Sequence, residues 1–354
     1  MMKFETKIAT LLMCTTLALL SSCNKKLPDT PVQEQQVPVG FRAMSQAAFV
    51  KSDPSPLSAY HANFGVWGIA RHEGITSPYI LWNANNLTEV VKSATDPNVY
   101  VPVTGAYWIS GYEYSFLAVA PFNSGASDIN INTTSGEVLT FNYNIANKYD
   151  LRGTEGLQSK DHLEFDLMAA AAKTEKITAV KPTTQGLTFW HLFTRLAINV
   201  TFTGWGNDAS GNPLTGTVTG MRLCNVDSEG TYTISYDESK DNNLSVNCVP
   251  NGNTQQKTIS FNGGTATIHL LPQNIGDFEM YIDFIVGNVT YTDFKLNLNI
   301  NSTANPNGTN SGEYKYNENY AWNITIGPKE DISFKVEVLP WTSEKVNDND
   351  IEIL

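Results

Sequence analysis

Along most of the chain, hydrophobic and polar positions alternate with a period of two. Tyr112, Tyr114, Phe116, Ala118 and Ala120 alternate in YEYSFLAVA, and Pro121 ends the run. Leu196, Ile198, Val200 and Phe202 share one side of LAINVTF, while Asn199, Thr201 and Thr203 share the other. Met280, Ile282, Phe284 and Val286 lead into Gly287-Asn288, a two-residue hairpin signal, and Phe294, Leu296, Leu298 and Ile300 return from it. Ile259 and Phe261 face Ile268 and Leu270 across Asn262-Gly263-Gly264, and Ile332, Phe334, Val336 and Val338 alternate with Lys335 and Glu337. Such a period marks strands with one buried face. Helical patterns are confined to Leu87 to Ser93 and the alanine-rich Leu163 to Lys176, and the second opens with Phe165 and Leu167 in alternation. Many short strands between Gly, Asn, Asp and Pro clusters predict antiparallel β-sandwiches, not a parallel α/β sheet. A length of 354 residues suggests two domains. The turn-rich stretch Thr178 to Gly186 divides them, giving an N-terminal domain over 37–183 and a C-terminal one over 184–354.

The first 36 residues break this pattern. Lys3 and Lys7 precede an apolar run from Ile8 to Leu20. As a helix that run spans about 20 Å, short of a bilayer core of about 30 Å, so it reads as a secretory signal and not as a membrane span. Ordinary cleavage before Cys23 would place bulky Leu20 where a small residue is required. Leu-Ser-Ser-Cys instead resembles the bacterial lipobox, in which the thiol takes a diacylglycerol before cleavage. The expectation is a lipoprotein signal peptide over 1–22, lipidation of Cys23 and anchoring by two or three acyl chains. Residues 23–36 (CNKKLPDTPVQEQQ) are polar and carry two prolines, the composition of a flexible tether.

Charge narrows the partners. The chain has 23 basic and 35 acidic residues, and loss of 1–22 removes Lys3, Lys7 and Glu5, leaving a net charge of −13. Nucleic acid is not an expected partner, because phosphate backbones need clustered Lys and Arg. Cys224 and Cys248, in an oxidising compartment, can form one disulfide or sit as two small buried hydrophobes. The five histidines show no metal-binding spacing, and no nucleophile elbow, phosphate loop or dinucleotide fingerprint occurs. No catalytic residues, metal site or cofactor are therefore expected. His191 and His269 lie in apolar runs, where a hydrogen-bonded core imidazole is the ordinary role. Seven tryptophans and fifteen tyrosines suit sandwich cores first. Exposed aromatic platforms would instead make the protein a surface glycan-binding lipoprotein.

Several stretches, in order, resemble the fimbrillin-like lipoproteins of Bacteroidota, subunits and accessory proteins of type V pili. They are VGFRA (39–43), YWISGYEYSFLAVAPF (107–122), DLMAAAA (166–172), LTFWHLFTRLAINVTF (187–202), LLPQN (270–274) and ISFKVEVLPW (332–341). The resemblance implies an all-β protein of two tandem transthyretin-like sandwiches, the second opened by LTFWHLFTRL. It implies a fimbrial subunit or fimbria-associated adhesin at the outer membrane and cell surface. Its partners would be other fimbrial subunits and, for an adhesin, a ligand on a host or bacterial surface. It also implies assembly without catalysis: a trypsin-like protease cuts after a basic residue, the first strand leaves, and a neighbour's strand fills the groove. Here the cut would fall between Arg42 and Ala43, and Val37, Val39 and Phe41 would belong to the strand removed. Thirteen residues follow Trp341, ending in Ile351, Glu352, Ile353 and Leu354. Extended, they reach about 40 Å. Their thin apolar content favours a tip or accessory role over a stalk.

Overall fold

A computed structural model describes residues 37–45, 55–57, 61–124, 126–132, 137–145, 166–177, 184–251, 257–261, 263–274, 278–296, 313–328 and 332–339. The leader, Cys23 and the tether lie outside these residues, as do Phe165, Leu298, Ile300, Trp341 and residues 342–354. The described residues form strands and no α-helix.

The strands of the first part are β1 (Phe41–Ser45), β2 (Ser55–Pro56), β3 (Asn63–His72), β4 (Tyr79–Ile80), β5 (Thr88–Lys92) and β6 (Tyr100–Pro102). They continue with β7 (Tyr112–Ala120), β8 (Ser127–Asn132), β9 (Val138–Asn144), β10 (Met168–Lys173) and β11 (Gln185–His191). Then come β12 (Thr194–Phe202), β13 (Gly216–Val226), β14 (Glu229–Tyr236), β15 (Leu244–Pro250), β16 (Lys257–Phe261) and β17 (Thr265–Leu270). The last six are β18 (Gln273–Asn274), β19 (Glu279–Val286), β20 (Val289–Leu296), β21 (Glu313–Tyr314), β22 (Asn319–Ile326) and β23 (Ile332–Leu339).

Seven strands close into a ring in the order β11-β10-β7-β3-β5-β6-β1, with β1 returning to β11 in parallel. Side chains alternate across the wall of that ring. Phe64, Val66, Tyr114, Phe116, Ala118, Met168, Ala170 and Phe189 fill its interior, whereas Trp67, Ile69, Leu117, Val119, Ala169 and Ala171 point outward. The outward set is covered by a second sheet, ordered β15-β14-β9-β8. There Phe141 stacks on Tyr232 with ring centroids 5.4 Å apart. Phe116 has room at the centre of the ring because residue 68 is glycine; a Cβ there would lie 2.7 Å from the Phe116 ring.

A separate sandwich follows. The sheet β17-β12-β22-β23 faces the sheet β16-β13-β19-β20. Between them Leu196, Ile198, Trp322 and Ile324 meet Met221, Leu223, Ile282 and Phe284 in one buried cluster. The hairpin after β19 forms as the sequence predicts: Val286 pairs with Val289, and Gly287 takes the left-handed φ of 59° that glycine adopts without steric cost.

Four expectations need correction. Leu87 to Ser93 and the described part of Leu163 to Lys176, from Asp166 on, contain strands β5 and β10 and no helix. Met168 to Ala172 are all buried, since β10 is covered on both faces of the ring wall, so the two-residue period vanishes. β16 and β17 are not a hairpin: β16 pairs with β13 and β17 with β12, so Phe261 and Thr265 belong to facing sheets. Two of the sheets are mixed and not purely antiparallel, with parallel seams at β1–β11 and β12–β22. Finally, pairing crosses residue 183: β11 joins the ring, and β14 pairs with β9.

Candidate functional site: the strand that closes the ring

The segment 37–45 is one extended stretch in the wall of the ring. Pro38 bridges Tyr107, the Val39 amide donates to the Ala106 carbonyl at 2.8 Å, and the Trp108 amide donates to the Val37 carbonyl at 2.9 Å. Phe41 pairs antiparallel with Tyr100, and Phe41 to Ser45 run parallel to Gln185–Phe189. This strand therefore has neighbours on both sides, where the sequence suggests a short edge strand.

Its side chains divide cleanly. Val39, Phe41 and Ala43 are buried inside the ring, and Arg42 and Met44 are exposed. Phe41 carries most of the contact. Its ring meets Phe116 edge-on at 5.2 Å and Phe64 at 6.0 Å, both in the geometry aromatic pairs prefer. Full burial of such a side chain stabilises by about 1.5–3 kcal/mol.

The structure thus places the predicted processing pair on opposite faces of one strand: the Arg42 side chain lies outside and Ala43 inside. Arg42 pairs with Gly186, so the Arg42–Ala43 bond is held within a ladder. A protease must bind its substrate extended and free, so local opening of β1 has to precede any cut there. Cys224 sits on β13 and Cys248 on β15, in different sheets, and no disulfide joins them. Burial pushes the Cys248 thiol up to about 12, far from a reactive thiolate.

A polar cluster not evident from the sequence lies buried at the end of the ring. The His191 ring (Nδ1) is 2.5 Å from Asp166 Oδ2, His61 Nε2 is 2.6 Å from the Asp166 carbonyl oxygen, and His269 packs near Phe193. All four polar residues are buried. Burial pushes the Asp166 carboxyl up, but His191, His269 and His61 together pull it down by more, so it stays below the usual carboxylate range. Burial also lowers His61, by more than Asp166 raises it. The residues come from four distant places in the chain, and only the topology brings them together. Among the described residues no group of His, Cys, Asp or Glu is arranged to hold a metal ion.

These features define an all-β protein whose first described strand seals its own core. Residues 59–341 match the model of the family described as fimbrillin-like, and the chain belongs to that family. No curated protein sequence matches it significantly. Solved structures of similar fold include one assigned to cell adhesion from Bacteroides uniformis, 15% identical with a TM-score of 0.48, covering 88% of this chain and 99% of that one. A fimbrial assembly protein from Parabacteroides distasonis is 10% identical with a TM-score of 0.38, covering 86% of this chain and 99% of that one. The tip fimbrial protein Mfa3 from Porphyromonas gingivalis is 10% identical with a TM-score of 0.39, covering 86% of this chain and 100% of that one. At these values the likenesses bear on no functional assignment.

Proposed function

We propose that this protein is a fimbrial subunit of the cell surface, exported as a lipoprotein on Cys23, that joins its neighbours by strand exchange at the position of β1. Family membership supports the fimbrial role. The transthyretin-like sandwich pair, the outer-membrane anchor and the tip or accessory position are part of this reading, carried by the sequence resemblance.

The observation that carries it is the burial of Val39 and Phe41 in a strand that closes the ring between Tyr100 and Gln185. Loss of 37–42 would vacate two apolar sockets and bare the backbone groups of two flanking segments. An open sheet edge over an apolar groove recruits another strand, with backbone hydrogen bonds for affinity and alternate side chains for fit.

The test is limited proteolysis followed by peptide challenge. A trypsin-like protease acting on the purified protein should release the segment through Arg42 slowly and leave a body beginning at Ala43. That body should bind a synthetic 37–42 peptide, and should lose this binding when Phe41 of the peptide is replaced by Ala. A body that fails to bind the peptide while remaining folded would sink strand exchange at this site.

A further inference from the structure

β10 and β11 pair only at Met168–His191 and Ala169–Trp190. Beyond that point β10 stays with β7 and β11 stays with β1, so the two strands diverge on the outer side of the ring. A cavity of about 390 Å³ opens in the fork, between Lys173 on one strand and Gly186, Thr188 and Trp190 on the other. Its roof is the end of the β14–β15 hairpin, which contributes Tyr236, Asp241 and Asn243. A Cβ built on Gly186 would meet nothing within 4 Å, so the floor of the cavity at that residue is open space.

We infer that this cavity binds a neutral saccharide. Its size falls in the range of about 300–1,000 Å³ typical of small-molecule sites. Trp190 supplies aromatic surface, which suits the C–H face of a sugar ring, whereas the Tyr236 ring is capped by the Lys173 ammonium. Thr188, Asp241 and Asn243 supply donors and acceptors in mixed order, as ring hydroxyls require. Charge argues against an anionic ligand. The cavity holds one ammonium and one carboxylate, and the ammonium of Lys173 is already 3.6 Å from Glu137 and 4.7 Å from the centre of the Tyr236 ring.

The hairpin turn that roofs the cavity is held by its own backbone hydrogen bonds before any ligand arrives. Glu137 is held by Arg71 at 3.0 Å as well as by Lys173. In the hairpin turn the Asp237 amide donates to the Asn243 carbonyl at 3.0 Å, and the Asn243 amide donates to Lys240 at 2.9 Å. Backbone held this way loses little freedom on binding. This inference does not rest on strand exchange, because the cavity is complete in a single copy of the chain.

Saturation-transfer NMR on the purified full chain tests it, with maltotriose and N-acetyllactosamine as neutral probes and 3′-sialyllactose and inorganic phosphate as anionic ones. A neutral probe should bind with a dissociation constant on the order of 1 mM. Gly186→Leu should abolish that binding with the melting temperature unchanged or raised, because the new side chain occupies space that is empty. Thr188→Val should weaken it about tenfold through one lost hydrogen bond. The inference is overturned if neither neutral probe binds the wild type, if only the anionic probes bind, or if Gly186→Leu keeps full affinity. Should Gly186→Leu fail to fold, Thr188→Val decides on its own, and unchanged affinity there counts against the site.

Discussion

The closed ring and the sandwich that follows it handle strand edges in opposite ways. The ring has no terminal strand among its seven, and it reaches that state by using the first described strand of the chain as its last stave. The sandwich leaves β16, β17, β20 and β23 at sheet margins and guards at least one of them locally. On β20 a bulge interrupts the register opposite Asp283, where Asp293 adopts a φ of 53° and pairs with Arg222. Bulges and charges of this kind deter edge-to-edge pairing. A ring sealed by a removable strand stores a binding edge until that strand leaves, whereas a guarded edge never offers one. On the proposed reading, exchange belongs to the first region and simple stability to the second.

The sharpest way to break this comparison is Phe41→Ala. It empties the socket among Phe64 and Phe116 and should cost about 3–5 kcal/mol. Hydrogen exchange should quicken in Tyr100–Pro102 and Gln185–His191 while Thr194–Phe202 keep their protection. Equal quickening in both regions would mean that the ring and the sandwich open as one unit and that β1 has no special hold on the ring.

What the sequence made legible follows the same division. β12 and β19 read correctly because their alternation survives in the structure, with Leu196, Ile198 and Val200 buried and Asn199 and Thr201 turned outward or half-buried; β7 was legible as a strand although Tyr114 to Ala120 are all buried. β10 did not, because alanines buried on both faces carry no period and favour helix in isolation. The glycines after β16 signalled a turn but could not tell a hairpin from a crossing between facing sheets. That VGFRA pairs on both sides was hidden for another reason: its partners lie at 100, 106–108 and 185–189, and pairing at such separations is set by the whole topology. The exposed Arg42 and buried Ala43 agree with simple alternation along FRAMS. The saccharide cavity and the Asp166 cluster had no local signal at all, since each gathers residues from distant strands.

The buried cluster offers the next test, because it ties β10 and β11 together at the one place where they pair. Asp166→Ala removes the partner of buried His191 and should cost about 3 kcal/mol. The pH response has a definite sign. His61 has a lowered pKa when folded, so its contribution is whole above the unfolded value of about 6.5 and shrinks as pH falls below it. Asp166 is also lowered, so its contribution is whole above about 3.9 and is lost as pH falls through the folded value. Stability measured by urea titration should therefore decline in two stages on acidification, and His61→Gln should remove the first stage. A flat profile between pH 7 and 5 in the wild type would contradict the assignment.

Two glycines of the ring separate packing from open space. Gly68→Ala forces a methyl to within 2.7 Å of the Phe116 ring and should cost about 1–3 kcal/mol. Gly186→Ala meets nothing within 4 Å and should be neutral or stabilise by about 0.5–1 kcal/mol through the unfolded state. Thermal melts of the two variants check both values. A loss in Gly186→Ala equal to that in Gly68→Ala would show that the fork between β10 and β11 closes in solution.

The smallest expected effect concerns the guarded edge. Asp293 holds its left-handed backbone with its amide donating to Asp283 Oδ1 at 2.7 Å, and its carboxylate accepts from Arg222. Asp293→Gly keeps that conformation available and loses only an exposed ion pair, so stability should stay within about 0.5 kcal/mol of the wild type. Asp293→Val places a β-branched residue where φ is positive, which costs about 1–2 kcal/mol and favours a straightened strand. A straightened β20 presents an unbroken edge of Val289, Tyr291 and Phe294 register positions to any second copy. Sedimentation velocity should then detect self-association in Asp293→Val and none in Asp293→Gly. If neither variant associates, the bulge is not what guards this edge, and the contrast between a stored edge in the ring and a blocked one in the sandwich must rest on charge alone.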